Sequence, residues 1–355
     1  MNAAATFLRL REYMVGPSRF AILLSCFELG LIDALRKKPG MTASQLGETA
    51  GATPDAVEQL LHLAVKEGFV AHDRRSGGYR LDAFAGVSEA DLQRVLPTMN
   101  MIKVVMLRQM FHLTESVRAG TPVGLDTVYG FRGNLYEAVA EHQDLRVSWA
   151  TMMDDVTAHI DPWFLRNIRV PAGARVLDLA GNTGLGAILA YRLKKSPGLR
   201  VTTFDLPEKE EECLANFRAE GVAEHCSFIG GDVFASVPRG FDVVLIKHFL
   251  DMFDKRDVLR ILGGVGAALE PGGQVNILVP VYPEDVKDTG SAGVDMFPAY
   301  FLGCAMGQGG PQKLSTYRGW IEECGFKVTK TLTQDLTAMP GAVIAHGILC
   351  ATKTP

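Results

Sequence analysis

The stretch "VLDLAGNTGLGAILAYRL", residues 176–193, combines a short apolar strand, a glycine-rich turn and a helix. Gly181 and Gly184 allow the backbone of the turn to pass close to a ligand. The N-terminus of the helix that follows favours a negatively charged group. Alone, the pattern also fits a dinucleotide site or a plain strand-to-helix turn, so a second feature is needed to decide between them.

Short apolar strands alternate with helical segments from Ala174 onward. The strand patterns are "RVLDLAG", "RVTTFDLP", "CSFIGGDVF", "FDVVLIKHF" and "GGQVNILVPV". Such alternation is typical of a doubly wound parallel sheet. Residues 327–354 predict a closing pair of antiparallel strands. The expected fold class of this part of the chain is therefore α/β and Rossmann-like.

The first hundred residues predict a different, mainly helical unit. The helix "RFAILLSCFELGLIDALRK" precedes a short helix that Thr42 caps and Gly51 ends. The next helix opens with Thr53 and Pro54, a typical helix start. "VAHDRRSGGYRL" then predicts two short strands around a glycine turn. This order of elements is a winged-helix pattern.

A winged helix raises the possibility of DNA binding, which the composition disfavours. A helix that reads the major groove exposes Arg, Lys, Asn or Gln. Here the exposed face of the second helix of the pair is acidic on balance, with Asp55, Glu58, Gln59 and His62. The formal net charge of −4 gives no electrostatic case for nucleic acid or for an anionic membrane. We expect this unit to serve packing or dimerisation.

Composition places the chain among soluble globular proteins, with 47% hydrophobic and 21% charged residues. The most apolar early stretch, "FAILLSCFELGLIDAL", is interrupted by Glu28 and Asp33 and is too short to span a bilayer. The six cysteines contain no CxxC pair, which predicts neither a zinc site nor a disulfide framework. We expect a cytoplasmic protein with reduced thiols and no metal.

Acidic residues at the ends of two successive strands identify the cofactor class. "FDLPE" places Asp205 where it can accept hydrogen bonds from ribose hydroxyls. "GGDVF" places Asp232 and Phe234 beside an adenine, where one accepts from the amino group and the other offers an apolar face. This arrangement fits a free ribose and base better than a pyrophosphate. It favours S-adenosylmethionine over a nicotinamide cofactor.

The series "LDLAGNTG", "FDLPE", "GGDVF", "LIKHFLDMFD", "LEPGGQ" and "YRGWIEECGF" behind a winged helix resembles the small-molecule O-methyltransferases over nearly the whole chain. The resemblance implies a winged-helix dimerisation domain at 1–98, a helical linker and substrate lid at 99–170, and an S-adenosylmethionine-binding Rossmann-like domain at 171–355. It also implies a homodimer. The cofactor-binding residues that it implies are Ala180, Gly181, Asp205, Asp232, Phe234 and Lys247. Ala180 and Asn182 stand where the family usually has glycines.

The chain departs from the family pattern at the residues that remove a proton. Asp251 stands where the family has its general base, a histidine. The supporting glutamates are replaced by Val279 and by Pro311 or Gln312. Aspartate has an unperturbed pKa of about 3.9 and is a poor base for a phenol. A thioether sulfur has no proton to lose, so the sequence favours a thioether acceptor.

A narrower resemblance agrees with that chemistry. The stretches "FLRLREYMVGPSRFAILLSCFELGLIDAL", "LPTMNMIKVVMLRQ" and "IKHFLDMFD" resemble the bacterial S-methyltransferases of dimethylsulfoniopropionate synthesis, which act on 4-methylthio-2-hydroxybutyrate. The alternatives are a methyltransferase that acts on another oxygen, nitrogen or carbon nucleophile in secondary metabolism, and a relative that does not methylate.

The resemblance also assigns candidate substrate residues. Asp251 and His248 are the candidate catalytic residues, and His248 or Arg108 could bind a substrate carboxylate. A packed core histidine and a solvated arginine are the alternatives for these two. Residues 90–168 predict several long helices that form the lid. Side chains on them match the segment that lines the family's pocket, although plain helix packing explains them equally well: Tyr136, Trp149, Met152 and Met153.

Overall fold

The computed structural model describes residues 3–287, 292–336 and 342–355. Contacts within the chain divide it into two compact units, Met1–Met99 and Asn100–Pro355.

The first unit is a winged helix, as the sequence predicts. Its strands form a small antiparallel sheet in the order β1-β3-β2. Thr42 and Thr53 are confirmed as helix N-caps, since their hydroxyls accept the Gln45 and Ala56 backbone N–H groups. The elements are α1 (Ala3–Glu28), α2 (Leu31–Lys37), β1 (Met41–Thr42), α3 (Ala43–Ala50), α4 (Pro54–Lys66), β2 (Val70–Asp73), β3 (Gly78–Leu81), a 3₁₀ turn (Ala83–Gly86) and α5 (Glu89–Met101), whose last residues belong to the second unit.

The second unit begins with helices that are shorter than the sequence suggests. The pattern predicts one continuous helix over 134–167, but the chain turns at His142, whose backbone is extended. Asn134 and Glu137 form a capping box that gives the first of the two helices its own start. The segments are a π-helix (Ile102–Leu107), α6 (Arg108–Met110), α7 (Leu113–Ala119), α8 (Val123–Tyr129), α9 (Leu135–Glu141) and α10 (Gln143–Asn167).

The rest of the second unit is the Rossmann-like domain, which confirms the expected fold class. Its strands are β4 (Arg175–Leu179), β5 (Arg200–Asp205), β6 (Cys226–Gly230), β7 (Val243–Lys247), β8 (Gln274–Tyr282), β9 (Gln312–Lys313), β10 (Phe326–Thr333) and β11 (His346–Lys353). Its helices are α11 (Leu185–Lys194), α12 (Glu210–Ala219), α13 (Lys255–Ala268), α14 (Gly293–Tyr300) and α15 (Leu314–Glu323), with a π-helix at Phe301–Ala305 and 3₁₀ turns at Pro207–Lys209 and Leu250–Met252.

The sheet order is β10-β11-β8-β7-β4-β5-β6, with β9 paired to β8. Strands β4 to β8 run parallel, and β10 and β11 are the antiparallel closing pair that the sequence predicts. Apolar clusters cover both faces of the sheet. The carboxyl ends of β4, β5, β6 and β7 therefore meet at one edge, where ligands bind in open α/β sheets.

Among the described residues, no single helix is long and apolar enough to cross a membrane; only α1 and α2 taken together, as a bent pair, meet the length and composition required.

Candidate active site

The glycine-rich turn connects β4 to α11. Ala180 and Asn182 have left-handed backbones, with φ of 56° and 49°. A non-glycine residue in this conformation costs roughly 1–3 kcal/mol, so the turn stores strain at the two positions for which the resemblance implies glycines. A Cβ added to Gly181 would lie 2.8 Å from Asp178 Oδ2. Gly181 thus allows the turn to lie directly against a buried carboxylate.

Asp205 ends β5 and holds this turn in place. Its carboxylate accepts hydrogen bonds from the backbone N–H groups of Asn182 and Leu206, each at 2.7 Å. Burial raises the pKa of Asp205, while the two N–H groups oppose that rise. Asp205 therefore shapes the turn that the sequence assigns to the cofactor. Its hydrogen bond to a ribose stays a prediction.

Asp232 and Phe234 follow β6 at the same edge. The Phe234 backbone N–H donates to Asp232 Oδ1 over 2.9 Å. The Arg260 guanidinium lies 5.0 Å from the centroid of the Phe234 ring and donates to the Phe234 carbonyl at 2.8 Å. Phe253 packs its ring edge-on at 5.3 Å. The aromatic ring predicted for adenine is thus fixed by its neighbours.

Lys247 ends β7 and is held between two buried carboxylates. Its Nζ lies 2.9 Å from Asp178 Oδ1 and 3.0 Å from Asp161 Oδ2. Burial disfavours the charged ammonium, but the two carboxylates outweigh it and raise the pKa of Lys247. A Cβ on Gly186 would collide with this Nζ, so glycine leaves room there for the ammonium.

Sequence reasoning did not identify Asp161 or Asp178 as functional residues. Asp178 left a signal, because it is the one charged residue within the buried part of "RVLDLAG". Asp161 left none that distinguishes it from other acidic residues of α10. Its position is set by helix packing, which brings α10 against the sheet next to β4 and β7.

His248 is buried and neutral. Burial, and then the neighbouring Lys247, lowers the pKa of His248 to about 3. Its Nε2 lies 4.0 Å from Asp161 Oδ1, and its ring meets that of His346 edge-on at 5.0 Å. The backbone is left-handed, with φ of 49°. An uncharged imidazole cannot act as the cation that the sequence interpretation offered to a substrate carboxylate.

Asp251 lies in the 3₁₀ turn Leu250–Met252 after β7 and is 6% exposed. Burial raises the pKa of Asp251 from 3.8 to about 7. Its Oδ1 has no hydrogen-bond partner among the residues that the structure describes. The expectation of a weakly basic aspartate used the pKa of an exposed side chain. Burial opposes that expectation, because desolvation gives the carboxylate a pKa suited to a base at neutral pH.

Aromatic side chains lie near Asp251. The Tyr136 and Trp149 rings meet edge-on at 5.6 Å. The Tyr300 hydroxyl is hydrogen-bonded to both side chains, and the negative charge of Asp251 contributes to raising the pKa of Tyr136 and Tyr300, after burial as the main cause. Methionines pack into the same cluster, which takes in Met152, Met296 and Met306. Met153, predicted to line the pocket, is half-buried outside the cluster.

Arg108 is not part of this arrangement. Its side chain is 54% exposed and lies 3.3 Å from both the Asp144 carboxylate and the Tyr129 hydroxyl. The structure therefore gives it a surface ion pair in place of the substrate contact that the sequence suggested.

At the positions of the two family glutamates, Val279 is fully buried in β8 and Gln312 begins β9.

The residues at the sheet edge fit an S-adenosylmethionine molecule. A glycine turn that leaves no room for a side chain, two strand-end acids and an aromatic ring lie at the carboxyl ends of neighbouring strands. A base with a pKa of about 7 follows the next strand. The site therefore combines a place for a nucleoside with a group that can accept a proton.

The chain belongs to the O-methyltransferase family. The model of the O-methyltransferase domain matches residues 110–327, and that of the O-methyltransferase dimerisation domain matches residues 12–87. The protein is accordingly an S-adenosylmethionine-dependent methyltransferase of the kind that acts on small molecules.

Relatives with assigned activities cover most of the chain. The 3-amino-4-hydroxybenzoate 4-O-methyltransferase of Streptomyces cremeus is 29% identical over 92% of this chain and 87% of its own length. The L-tyrosine C(3)-methyltransferase of Streptomyces lavendulae is 23% identical over 96% and 91%. The crystal structure of the S-adenosylmethionine-dependent methyltransferase SibL in its apo form superposes with a TM-score of 0.79 at 25% identity, covering 98% of this chain and 99% of that one.

Proposed function

We propose that this enzyme transfers a methyl group from S-adenosylmethionine to a ring hydroxyl of a small aromatic molecule, with Asp251 as the general base. The observation that carries the proposal is the burial of Asp251, which raises its pKa to about 7, near the aromatic side chains of Tyr136 and Tyr300. Asp251 thereby takes the role of the family histidine.

The proton step follows from this pKa. Methyl transfer to a hydroxyl requires that its proton leave, and a positioned base contributes roughly 10²–10⁴ in rate. A base works best when its pKa is near the working pH, because it is then largely ionised and still basic. The unpartnered Oδ1 of Asp251 is free to receive the proton. The aspartate therefore needs no glutamate partner of the kind that orients a histidine.

The lining of the site favours an aromatic acceptor. Tyr136, Trp149 and Tyr300 offer flat apolar surfaces and a hydroxyl close to Asp251, and aromatic rings pack well edge-on or offset against such surfaces. Both relatives described above have names that specify an aromatic substrate. Methylation of a ring carbon next to a hydroxyl would use the same base and is the second candidate, which the tyrosine C(3)-methyltransferase favours.

A thioether acceptor, which the resemblance to the bacterial S-methyltransferases implies, has weaker support. A small hydroxy acid needs a cation for its carboxylate, yet His248 is neutral and Arg108 is paired at the surface. None of the relatives described above is an S-methyltransferase. The sequence favoured a thioether because it offered no suitable base, whereas the raised pKa of Asp251 makes this residue a candidate base.

Bound S-adenosylmethionine supplies an electrophilic methyl group. Of the residues in this chain, we assign Gly181 and Ala180 to the backbone cradle, Asp205 to the ribose, and Asp232 and Phe234 to the adenine. Asp251 takes the acceptor proton and Tyr300 orients the acceptor through its hydroxyl.

The test is incubation of the purified enzyme with S-adenosylmethionine and three acceptor classes: substituted phenols, aromatic amines and 4-methylthio-2-hydroxybutyrate. Mass spectrometry identifies the product. We expect methylated phenols, and a loss of about 10²–10⁴ in rate for Asp251→Asn but not for the exposed control Glu270→Gln. A methylated thioether as the sole product would contradict the proposal.

A further inference from the structure

The buried ion cluster at the end of β7 has unequal numbers of positive and negative groups. Lys247 contributes one ammonium, and Asp161 and Asp178 contribute two carboxylates. The side chains are 8%, 1% and 0% exposed, so water offers the extra charge little compensation. The neighbouring His248 is neutral and adds no positive charge. With both carboxyls ionised, the cluster carries an excess of one negative charge.

The excess of negative charge destabilises the protein when no ligand is bound. Burial raises the pKa of both carboxyls, which means that the surroundings disfavour their charged forms, while Lys247 opposes the rise. Asp161 also has an oxygen, Oδ1, that makes no hydrogen bond within the described chain and lies 4.0 Å from His248 Nε2. A cation nearby would relieve this cost.

The cluster lies directly beneath the turn assigned to the cofactor. Asp178 Oδ2 is 2.8 Å from the place of a Cβ on Gly181 and 2.9 Å from that of a Cβ on Gly186. The carboxylate thus touches both the glycine turn and the first turn of α11. A ligand that binds on the turn would therefore experience the electrostatic field of the cluster.

We propose that Asp161 raises the affinity of the site for the cationic cofactor S-adenosylmethionine relative to its affinity for the product S-adenosylhomocysteine, whose sulfur is uncharged. The two molecules share the same nucleoside, α-amino group and carboxylate. They differ by one methyl group and one positive charge on sulfur. An excess of buried negative charge attracts the positively charged sulfur of S-adenosylmethionine and does not attract the neutral sulfur of S-adenosylhomocysteine. The proposal depends on the cofactor and not on the acceptor, so it stands or fails separately from the proposed ring-hydroxyl activity.

The difference in affinity between the cofactor and its product has a functional consequence. After the methyl group leaves, the sulfur is neutral, and the cluster no longer stabilises the bound molecule. Asp161 would therefore help the product to depart while it retains the cofactor before reaction. It acts through charge and is a positioning residue for the cofactor, not a catalytic residue.

The experiment is calorimetric titration of each ligand into wild-type protein, Asp161→Asn and a matched control, Asp155→Asn. The control makes the same substitution on the same helix, at a carboxylate paired with His159 at 3.3 Å. At an effective dielectric constant of about 20, we expect Asp161→Asn to weaken S-adenosylmethionine binding about tenfold and S-adenosylhomocysteine binding less than about threefold. The control should change neither. Equal losses for both ligands, or no loss for either, would overturn the proposal.

A charge-retaining variant guards against a folding defect in Asp161→Asn. Asp161→Asn keeps the pair of Lys247 with Asp178 at 2.9 Å, whereas removing Lys247 as well would leave Asp178 buried without a partner. Asp161→Glu retains the negative charge of the cluster. We expect Asp161→Glu to keep the wild-type ratio of the affinities for S-adenosylmethionine and S-adenosylhomocysteine, even where both affinities fall. A ratio in Asp161→Glu as low as that in Asp161→Asn would contradict the proposal that charge causes the difference.

Discussion

The Gly310 backbone N–H donates a hydrogen bond to the Asp251 carbonyl over 2.7 Å. This bond ties the turn that carries the buried carboxylate to the segment before β9. Gly309 and Gly310 both have left-handed backbones, with φ of 79° and 116°. A Cβ on Gly309 would lie 2.5 Å from the Met252 carbonyl oxygen and 2.9 Å from that of Asp251. The position of the base therefore depends on a glycine in a neighbouring loop.

We predict that Gly309→Ala lowers kcat/KM by about 100-fold, because a displacement of the order of 1 Å at a reacting group has that cost. Steady-state kinetics with the acceptor that the wild-type enzyme methylates measures the loss. Gly263→Ala is the control, since a Cβ there meets open space on α13. Activity of Gly309→Ala within about threefold of wild type would show that this loop does not position the base.

The strand-end acids should govern cofactor affinity. We expect Asp205→Ala to weaken S-adenosylmethionine binding, because it removes both a predicted ribose acceptor and the 2.7 Å bond that holds Asn182 in the turn. Asp232→Ala should weaken binding through the adenine side. Calorimetry checks both, with Glu211→Ala as an exposed acidic control. Unchanged affinity in both variants would refute the site assignment.

Local sequence patterns predicted much of the fold, since caps, turns and apolar periodicity act over a few residues. Thr42, Thr53 and the strand–turn–helix at 176–193 are examples. The pKa of Asp251 could not be predicted, because it depends on burial among side chains from distant segments. Asp161 was missed for the same reason. Its importance arises only when α10 brings it to Lys247.

An exposed apolar surface on α1 predicts a homodimer. Phe7, Tyr13 and Met14 are 71%, 79% and 79% exposed, and exposed patches of this kind mark interfaces. Light scattering should report a dimer for the wild type at micromolar concentration. Replacing both Tyr13 and Met14 with Glu should shift it to a monomer, whereas Val286→Glu, also at an exposed apolar side chain, should not. A monomeric wild type would contradict the prediction.

Burial of Asp251 should make the stability of the protein depend on pH. The folded state binds the Asp251 proton more tightly than the unfolded chain, so this contribution to stability is complete below about pH 4 and is lost as the pH rises to about 7. At about pH 8 the ionised carboxylate costs the folded state up to about 4 kcal/mol. We expect Asp251→Asn to raise the free energy of unfolding at that pH by up to this amount, with little difference near pH 4. Urea denaturation at both pH values measures the effect, and equal stability of the two proteins at the higher pH would contradict it.

The most direct test of the account is the titration of the Asp251 carboxyl itself. Enzyme labelled with ¹³C at the side-chain carboxyl of aspartate gives one resonance per residue, and the resonance missing from Asp251→Asn identifies Asp251. We expect a titration midpoint of about 7 for that resonance. A midpoint near the ordinary aspartate value of about 3.9 would contradict it, because Asp251 would then be too weak a base to remove the proton of a hydroxyl acceptor.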